Sequence, residues 1–138
     1  MDIIEVQSMF EEFLPWQDSE VEEVTAVLSS IRESGDDVIV VVDFLLNEET
    51  VGLVKYIYHP SENHLIPTVF RLGPASGEGV FRRYADDSLE VVLEYIDVCS
   101  TLTHNEAIIS GFESSGWTQS EDDPSIWSIH PGEFTRTT

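Results

Sequence analysis

The sequence predicts a single α+β domain, in which an antiparallel sheet of about four strands and a C-terminal hairpin pack with acidic helices at both ends of the chain. The length of 138 residues suits one domain. Hydrophobic spacing changes from helical to alternating and back along the chain. Net charge follows the same division, at −9 for residues 1–36, −2 for 37–85 and −10 for 86–138. We expect the domain to end at residue 130, with 131–138 as a flexible tail.

The first third of the chain predicts two helices. Apolar residues recur at three- and four-residue intervals between Ile3 and Phe13, and a proline follows soon after. The same spacing recurs over residues 21–31, after a capping box that begins at Ser19. Gly35 then stands where a left-handed helix cap is expected.

The middle third predicts four strands. Residues 38–46 are apolar on both faces, which predicts a central strand covered on each face, or on one face with a homodimer contact on the other. Residues 53–58, 65–72 and 79–84 follow as further strands, separated by turn-forming segments. Pro67 has no backbone N–H, so we expect its strand to lie at an edge or carry a bulge.

The last third predicts two more helices and a hairpin. Apolar residues from Leu89 to Cys99 are opposed by acidic ones, which favours a helix. A second capping box begins a helix over residues 103–116. Residues 117–120 and 125–130 then pair around an acidic turn.

No residue pattern in the chain carries a recognised chemistry. Cys99 lies on an apolar stripe, where a thiol acts as a small buried hydrophobe. His59 and His64 lie in a hairpin loop without metal-ligand spacing. The glycine-rich residues 73–79 lead into an expected strand, so we interpret them as a turn and not as a phosphate-binding loop. The sequence therefore predicts no catalytic residue, no cofactor and no metal.

The acidity predicts a non-enzymatic inhibitor. The formal charge is −21, which disfavours direct contact with nucleic acid or anionic membranes and favours a basic protein partner. Carboxylates at helical spacing form a lattice that resembles a nucleic-acid backbone in charge, as in viral anti-defence proteins such as anti-CRISPRs or in toxin-immunity proteins. The expected partner is a nuclease or a nucleic-acid-binding complex. The expected contact residues are Glu90, Glu94, Asp97, Asp86, Asp87, Glu20, Glu22, Glu23, Glu121, Asp122 and Asp123.

Two other hypotheses stay open at this point. Acidity with a single lysine is also typical of halophilic archaea, so the chain could be a small regulatory, adaptor or viral domain adapted to salt, although Glu outnumbers Asp by 17 to 10. A small enzyme is the third hypothesis, because acid–base sites need no sequence motif. One cysteine and no long apolar run indicate a cytoplasmic protein.

Overall fold

In the described part of the chain, a seven-stranded mixed sheet forms the centre and three helices pack against it. The computed structural model describes residues 2–14, 16, 24–72, 78–103 and 106–136. The helices are α1 (Ile3–Phe13), α2 (Glu78–Val92) and α3 (Glu106–Ser115). The strands are β1 (Val24–Ser34), β2 (Asp37–Leu46), β3 (Glu49–His59), β4 (His64–Leu72), β5 (Val98–Leu102), β6 (Thr118–Gln119) and β7 (Ile126–Ile129).

The sheet combines an antiparallel meander with one parallel pair. The strand order is β1-β2-β3-β4-β5-β7-β6, and α2 makes the crossover that joins the parallel neighbours β4 and β5. The predicted fold class, an antiparallel sheet of about four strands with acidic flanking helices, is therefore wrong. Its errors come from two segments that were assigned the wrong periodicity.

The predicted second helix is strand β1. Leu28 pairs with Val42 and Ile31 pairs with Val40, so both point toward the same face although they are three residues apart. A bulge between them adds one residue to the strand, and the extra residue produces a helix-like interval. Gly35 has a φ of 63° and lies in the tight β1–β2 turn, which uses the left-handed conformation that was assigned to a helix cap.

The second error concerns the predicted strand 79–84 and the predicted helix that follows it. Residues 78–92 form one helix, in which Tyr84, Ser88 and Val92 lie four residues apart and are all buried. The helix ends at Val92, and the Asp97 N–H donates to the Asn63 carbonyl at 3.0 Å. Cys99 is buried as expected, but in strand β5.

Other predicted elements are confirmed. The stripe of α1 buries Val6, Phe10 and Phe13, and the Asp2 carboxylate caps its first turn by accepting from the Glu5 N–H at 2.9 Å. The strands predicted at 38–46, 53–58 and 65–72 are β2, β3 and β4, and the C-terminal hairpin is β6–β7.

The two faces of the sheet differ in their cover. On the helix face, Val40, Val42 and Phe44 are fully buried and belong to one core with side chains of α1 and α2. A second cluster on this face joins α3 to Cys99 and Trp127. On the opposite face, here called the open face, the cross-strand row of Ile39, Ile57 and Ile66 is only half-buried.

The segment after the hairpin contacts the body of the domain. The Thr135 N–H donates to the Ser115 carbonyl at 2.9 Å, and Phe134 packs against the second cluster. Whether residues 131–138 are also flexible stays a prediction. Within the described residues, no helix is both long and apolar enough to cross a bilayer.

Candidate functional site

The parallel strands β4 and β5 pair only at their beginnings. His64 pairs with Val98 and Leu65 with Cys99, although β4 continues to Leu72 and β5 to Leu102. We call the point where this pairing stops the fork. Each strand is paired on its outer edge, with β3 and β7 respectively. Beyond the fork, the inner edges therefore face each other across a gap, with backbone groups that no β4–β5 ladder satisfies.

A bulge and a proline maintain the gap on the β4 side. Lys55 pairs with Val69 and Tyr56 with Pro67, so Thr68 is the extra residue of a β-bulge. The bulge predicted for the strand that contains Pro67 is thus confirmed. Thr101 Oγ1 donates to the Pro67 carbonyl at 3.1 Å, which bridges the two strands by a side chain where a backbone bond is missing.

A cavity of about 360 Å³ lies where the strands separate. This volume is within the range of small-molecule sites in proteins. Its walls are mainly apolar and come from β3, β4, α2, β5 and α3, together with Thr103 after β5 and Trp117 between α3 and β6. Leu65, Ala85, Leu89, Cys99, Phe112 and Trp117 are among the lining residues. The cleft is therefore shaped for a narrow, largely apolar group that can also use backbone hydrogen bonds.

Buried hydroxyl groups supply the polar part of this cleft. The hydroxyl oxygens of Tyr56 and Tyr84 are 3.0 Å apart, and both rings line the cavity together with Ser88. Burial raises the pKa of Tyr56, while its hydrogen bonds to Tyr84 and Ser88 act in the opposite direction. Burial also raises the pKa of Tyr84 well above its ordinary value. Both tyrosines are therefore neutral at physiological pH. Because one hydroxyl donates to the other, at most one hydroxyl hydrogen of the pair can be donated into the cleft.

The thiol in the cleft is not a nucleophile. Cys99 is 3% exposed, and burial raises the pKa of its thiol to about 12. A protonated thiol is a poor nucleophile and a poor metal ligand. The described residues also contain no group of three or more His, Cys, Asp or Glu side chains that could hold a metal ion.

The cleft opens toward the carboxyl ends of β4 and β5, where crevices between parallel strands usually bind ligands. Helix α2 begins at Glu78, only a few residues after β4 ends at Leu72. The glycine-rich segment 73–79 was interpreted as a turn because it was expected to lead into a strand. It leads into this helix, so that reason fails, and the start of α2 offers backbone N–H groups to an anion. Residues 73–77 themselves lie outside the described part of the chain.

The structure separates the acidic residues that were expected to form one contact surface. Glu90 lies near the end of α2, but Glu94 lies in the turn that follows and Asp97 just before β5, so they do not share a helix face. Asp86 is buried and Asp87 accepts a hydrogen bond from Trp16 at 2.8 Å. The exposed acids of the hairpin turn are Glu121, Asp122 and Asp123. Glu20, Glu22 and Glu23 lie outside the described residues. Partner binding by these acids stays a prediction.

The sequence contained one usable signal for the cleft that the periodicity analysis missed. Pro67 lies within an otherwise β-forming segment, and glycines follow that segment before a stretch in which Tyr84, Ser88 and Val92 recur every four residues. That order, strand then glycine-rich segment then helix, is typical of a ligand-binding β-α unit. The choice of a strand for residues 79–84 concealed it.

No protein-family profile and no curated protein matches this chain by sequence. Among solved structures, the PaiA N-acetyltransferase of Thermoplasma acidophilum, in complex with coenzyme A, has a TM-score of 0.52 at 13% identity. That match covers 67% of this chain and 60% of the other, so the chain spans less than two thirds of that enzyme. Tetrahymena GCN5 has a TM-score of 0.52 at 12% identity, and that match covers 75% of this chain and 74% of the GCN5 chain. A Thermus thermophilus acetyltransferase has a TM-score of 0.50 at 14% identity, over 67% of this chain and 64% of that one.

These comparisons show the fold, which is that of GNAT-type acetyltransferases. They overturn the expectation of a non-enzymatic nucleic-acid mimic, the alternative of a small regulatory or adaptor domain, and the expectation that the chain is not an enzyme. Whether the acidity is also a salt adaptation stays a prediction. The physical reason for the error is that a whole-chain charge describes the surface, whereas the fork and its cleft are formed by apolar and uncharged residues.

Proposed function

We propose that this chain is an acyltransferase that moves an acyl group from a coenzyme A thioester to an amine. The observation that carries the proposal is the fork between β4 and β5, with its cavity of about 360 Å³. The fold likeness to an N-acetyltransferase in complex with coenzyme A supports it. Acetyl-CoA, when bound, supplies an acyl group that is activated as a thioester.

The residues of the cleft fit the arm of coenzyme A. That arm is a narrow chain with two amide groups, and an extended amide chain binds well along an unpaired strand edge. The inner edge of β4 beyond Leu65 is such an edge. Leu89, Cys99 and Phe112 offer apolar contact, and the hydrogen-bonded pair of neutral hydroxyls on Tyr56 and Tyr84 offers a polar contact.

The start of α2 fits the phosphate groups of the same molecule. Backbone N–H groups in the first turn of a helix have no partners inside the helix and attract anions. This contribution matters here, because a chain of charge −21 otherwise repels a polyphosphate. The same charge attracts an amine acceptor, which is a cation at neutral pH. A reducing compartment such as the cytoplasm suits the single, unpaired and buried Cys99.

Calorimetric titration with coenzyme A and acetyl-CoA tests the proposal. We expect both to bind the wild-type chain, and Ala85→Phe to abolish binding because the new ring fills the cavity beside Ser88 and Leu89. Ser114→Phe is the matched control, since it adds the same ring on the exposed surface of α3 and should bind normally. The proposal fails if the wild-type chain binds neither compound, or if Ala85→Phe binds as the control does.

Transfer itself is tested by mass spectrometry of an amine panel that includes spermidine, lysine and lysine-containing peptides. We expect a gain of one acetyl group on an amine that requires both acetyl-CoA and the chain, and that is lost in Ala85→Phe. We also expect KM for a polycationic acceptor to rise with ionic strength, because salt screens attraction to the acidic surface.

A further inference from the structure

A hydrogen-bonded chain of polar side chains crosses the open face next to the fork. His64 Nε2 is 2.7 Å from Ser100 Oγ, and Ser100 Oγ is 2.7 Å from Ser128 Oγ. The other ring nitrogen, His64 Nδ1, is 3.7 Å from a Glu62 carboxylate oxygen. Glu62, His64 and Ser100 thus stand in the order carboxylate, imidazole, hydroxyl. The imidazole and the hydroxyl are within hydrogen-bond distance, so the imidazole can accept a proton from the hydroxyl, while the Glu62 carboxylate acts on the imidazole by its charge.

This chain reaches the fork from the side opposite to the cleft. Ser100 directly follows Cys99, the last β5 residue that pairs with β4. Successive residues of a strand point to opposite faces, so Cys99 faces the cleft and the helices while Ser100 faces away from them. Ser100 is 8% exposed and lies immediately behind the point where the strands separate.

His64 is in the state that a proton acceptor needs. Burial lowers the pKa of its imidazole, although the Glu62 carboxylate acts in the opposite direction. The other ionisable groups that face it are His59 and His130, both of which also lower that pKa. Asp37 is hydrogen-bonded to His59. The backbone N–H of Asp97 donates to the carbonyl of Asn63, the residue before His64. A neutral imidazole is therefore present at physiological pH and can take up a proton.

We infer that Ser100 and His64 form the route by which the acyl acceptor loses its proton, and that the acceptor approaches the fork from the open face. This inference rests on the proposed function, because it assigns a role at the same fork. The thioester would lie on the helix side of the sheet, and the acceptor nitrogen or a water would arrive on the Ser100 side.

The step balances as follows. The ammonium form of the acceptor first loses one proton to solvent, because only the neutral amine has a lone pair for attack. As the nitrogen of the neutral amine forms its bond to the acyl carbon, a second proton passes from it to Ser100 Oγ. The proton of Ser100 passes to His64 Nε2, and the electron pair of the broken carbon–sulfur bond leaves on the thiol sulfur. The imidazolium then returns its proton through solvent to that sulfur. The Glu62 carboxylate stabilises the imidazolium in the interval.

Hydrolysis of acetyl-CoA in the absence of an amine tests this route without knowledge of the natural acceptor, because water then takes the acceptor's place. Release of free thiol is followed with a chromogenic thiol reagent, to which the buried Cys99 does not contribute. We expect His64→Asn to lower the hydrolysis rate about 100-fold, with the calorimetric affinity for acetyl-CoA unchanged. Ser100→Ala should behave similarly, and Ser128→Ala should have a smaller effect.

His59→Asn is the matched control. The two histidine rings are 5.8 Å apart on the same hairpin, but His59 is bonded to Asp37 and not to the serines. We expect this variant to hydrolyse acetyl-CoA at the wild-type rate. We also expect free imidazole to restore the rate of His64→Ala, and the wild-type rate to level off above the His64 pKa while that of His64→Asn continues to rise with hydroxide.

The outcomes separate the two proposals. If acetyl-CoA binds and is hydrolysed but His64→Asn and Ser100→Ala match the wild type, the proton route is wrong and the proposed function stands. If His59→Asn loses as much activity as His64→Asn, or imidazole gives no rescue, the role of His64 is structural and the inference is overturned. If the wild-type chain does not bind acetyl-CoA, the proposed function fails and this inference fails with it.

Discussion

The two faces of the sheet show how one set of strands serves two purposes. On the helix face, Val40, Val42, Phe44 and Tyr58 are almost fully buried among side chains from α1 and α2. On the open face, the apolar residues of the same strands are half-buried. Polar side chains there form two separate hydrogen-bonded groups, Asp37 with His59, and His64 with Ser100 and Ser128.

The difference shows where stability and chemistry are located. Apolar burial, the main favourable term in folding, is concentrated on the helix face. The two faces of the sheet are not separated by β4–β5 backbone hydrogen bonds beyond the fork, because the pairing of these strands stops there. A reaction that needs an apolar donor site and a polar acceptor site can therefore use opposite sides of one opening.

The largest expected effect is the loss of a helix-face side chain. Phe44 is fully buried and packs against Trp16 and Tyr84, so we expect Phe44→Ala to lower the free energy of unfolding by about 3–5 kcal/mol. Denaturant unfolding followed by circular dichroism measures this change.

Ile39→Ala on the open face is the comparison for Phe44→Ala. Ile39 is half-buried, so we expect a loss below about 1.5 kcal/mol. A loss as large as that of Phe44→Ala would show that the open face is covered in solution. Repeating the measurement at several protein concentrations would then test a second copy of the chain as the cover.

A smaller effect is expected at the glycine that precedes the C-terminal hairpin. Gly116 has a φ of 101°, and a Cβ there would overlap the carbonyl oxygen of Glu133. The left-handed conformation alone costs an alanine about 1–2 kcal/mol, and displacement of the Glu133 backbone adds to that cost. We expect Gly116→Ala to lower the melting temperature and to shift the amide NMR signals of residues 131–136.

Gly35→Ala separates these two causes. Gly35 also has a positive φ, but nothing lies within 4 Å of the position of its Cβ. We expect only the conformational cost, about 1–2 kcal/mol, and no shift in the signals of residues 131–136. Equal losses in the two variants would contradict a close contact between Gly116 and Glu133.

His64 on the open face should also make the folding stability depend on pH. The folded-state pKa of His64 is lowered by burial. Between that value and its ordinary value near 6.5, the unfolded chain binds a proton that the folded chain does not, so stability falls as the pH falls. His64→Asn removes this contribution, and the stability difference between wild type and variant should decrease on acidification through that window. A difference independent of pH would contradict the lowered pKa.

How much of this molecule the sequence predicts depends on how local the cause is. The helix α1 and the strands β2 and β3 follow from spacing and turn residues inside each segment, and they were predicted. Strand β1 was not, because its bulge between Leu28 and Ser30 is set by pairing with β2. A bulge changes the spacing between residues on one face of a strand from two to three, which is also the spacing on one face of a helix. Only the pairing with the partner strand distinguishes a bulged strand from a helix.

The candidate site was harder to predict because it arises from an absence of pairing. No single segment encodes the fork. Leu65 and Cys99 are 34 positions apart, and the crossover helix α2 brings their strands together. His64 was interpreted in the sequence as an ordinary loop histidine, and nothing in the sequence singled out Ser100. Their 2.7 Å contact depends on the parallel register.

The smallest expected effect concerns the acidic surface on the helix side. Arg136 donates to Asp87 and Glu90, each at 2.6 Å, and its hydrogen bond lowers the pKa of Glu90. Because these groups are partly exposed to solvent, which screens their charges, we expect Arg136→Ala to cost less than about 1 kcal/mol. The Glu90 pKa should rise toward its ordinary value, which carboxyl NMR titration measures.

The contact between Arg136 and Glu90 is attractive, so its contribution to folding stability decreases as the pH falls. A repulsive contact would show the reverse. A lowered carboxyl pKa stabilises the folded state above the ordinary pKa, and the contribution is lost as the pH falls through the lowered value. Arg71→Ala, at another exposed arginine, is the control and should leave the Glu90 titration unchanged. If Arg136→Ala also leaves it unchanged, residue 136 is not held against α2 in solution, and the tail predicted from the sequence begins before it.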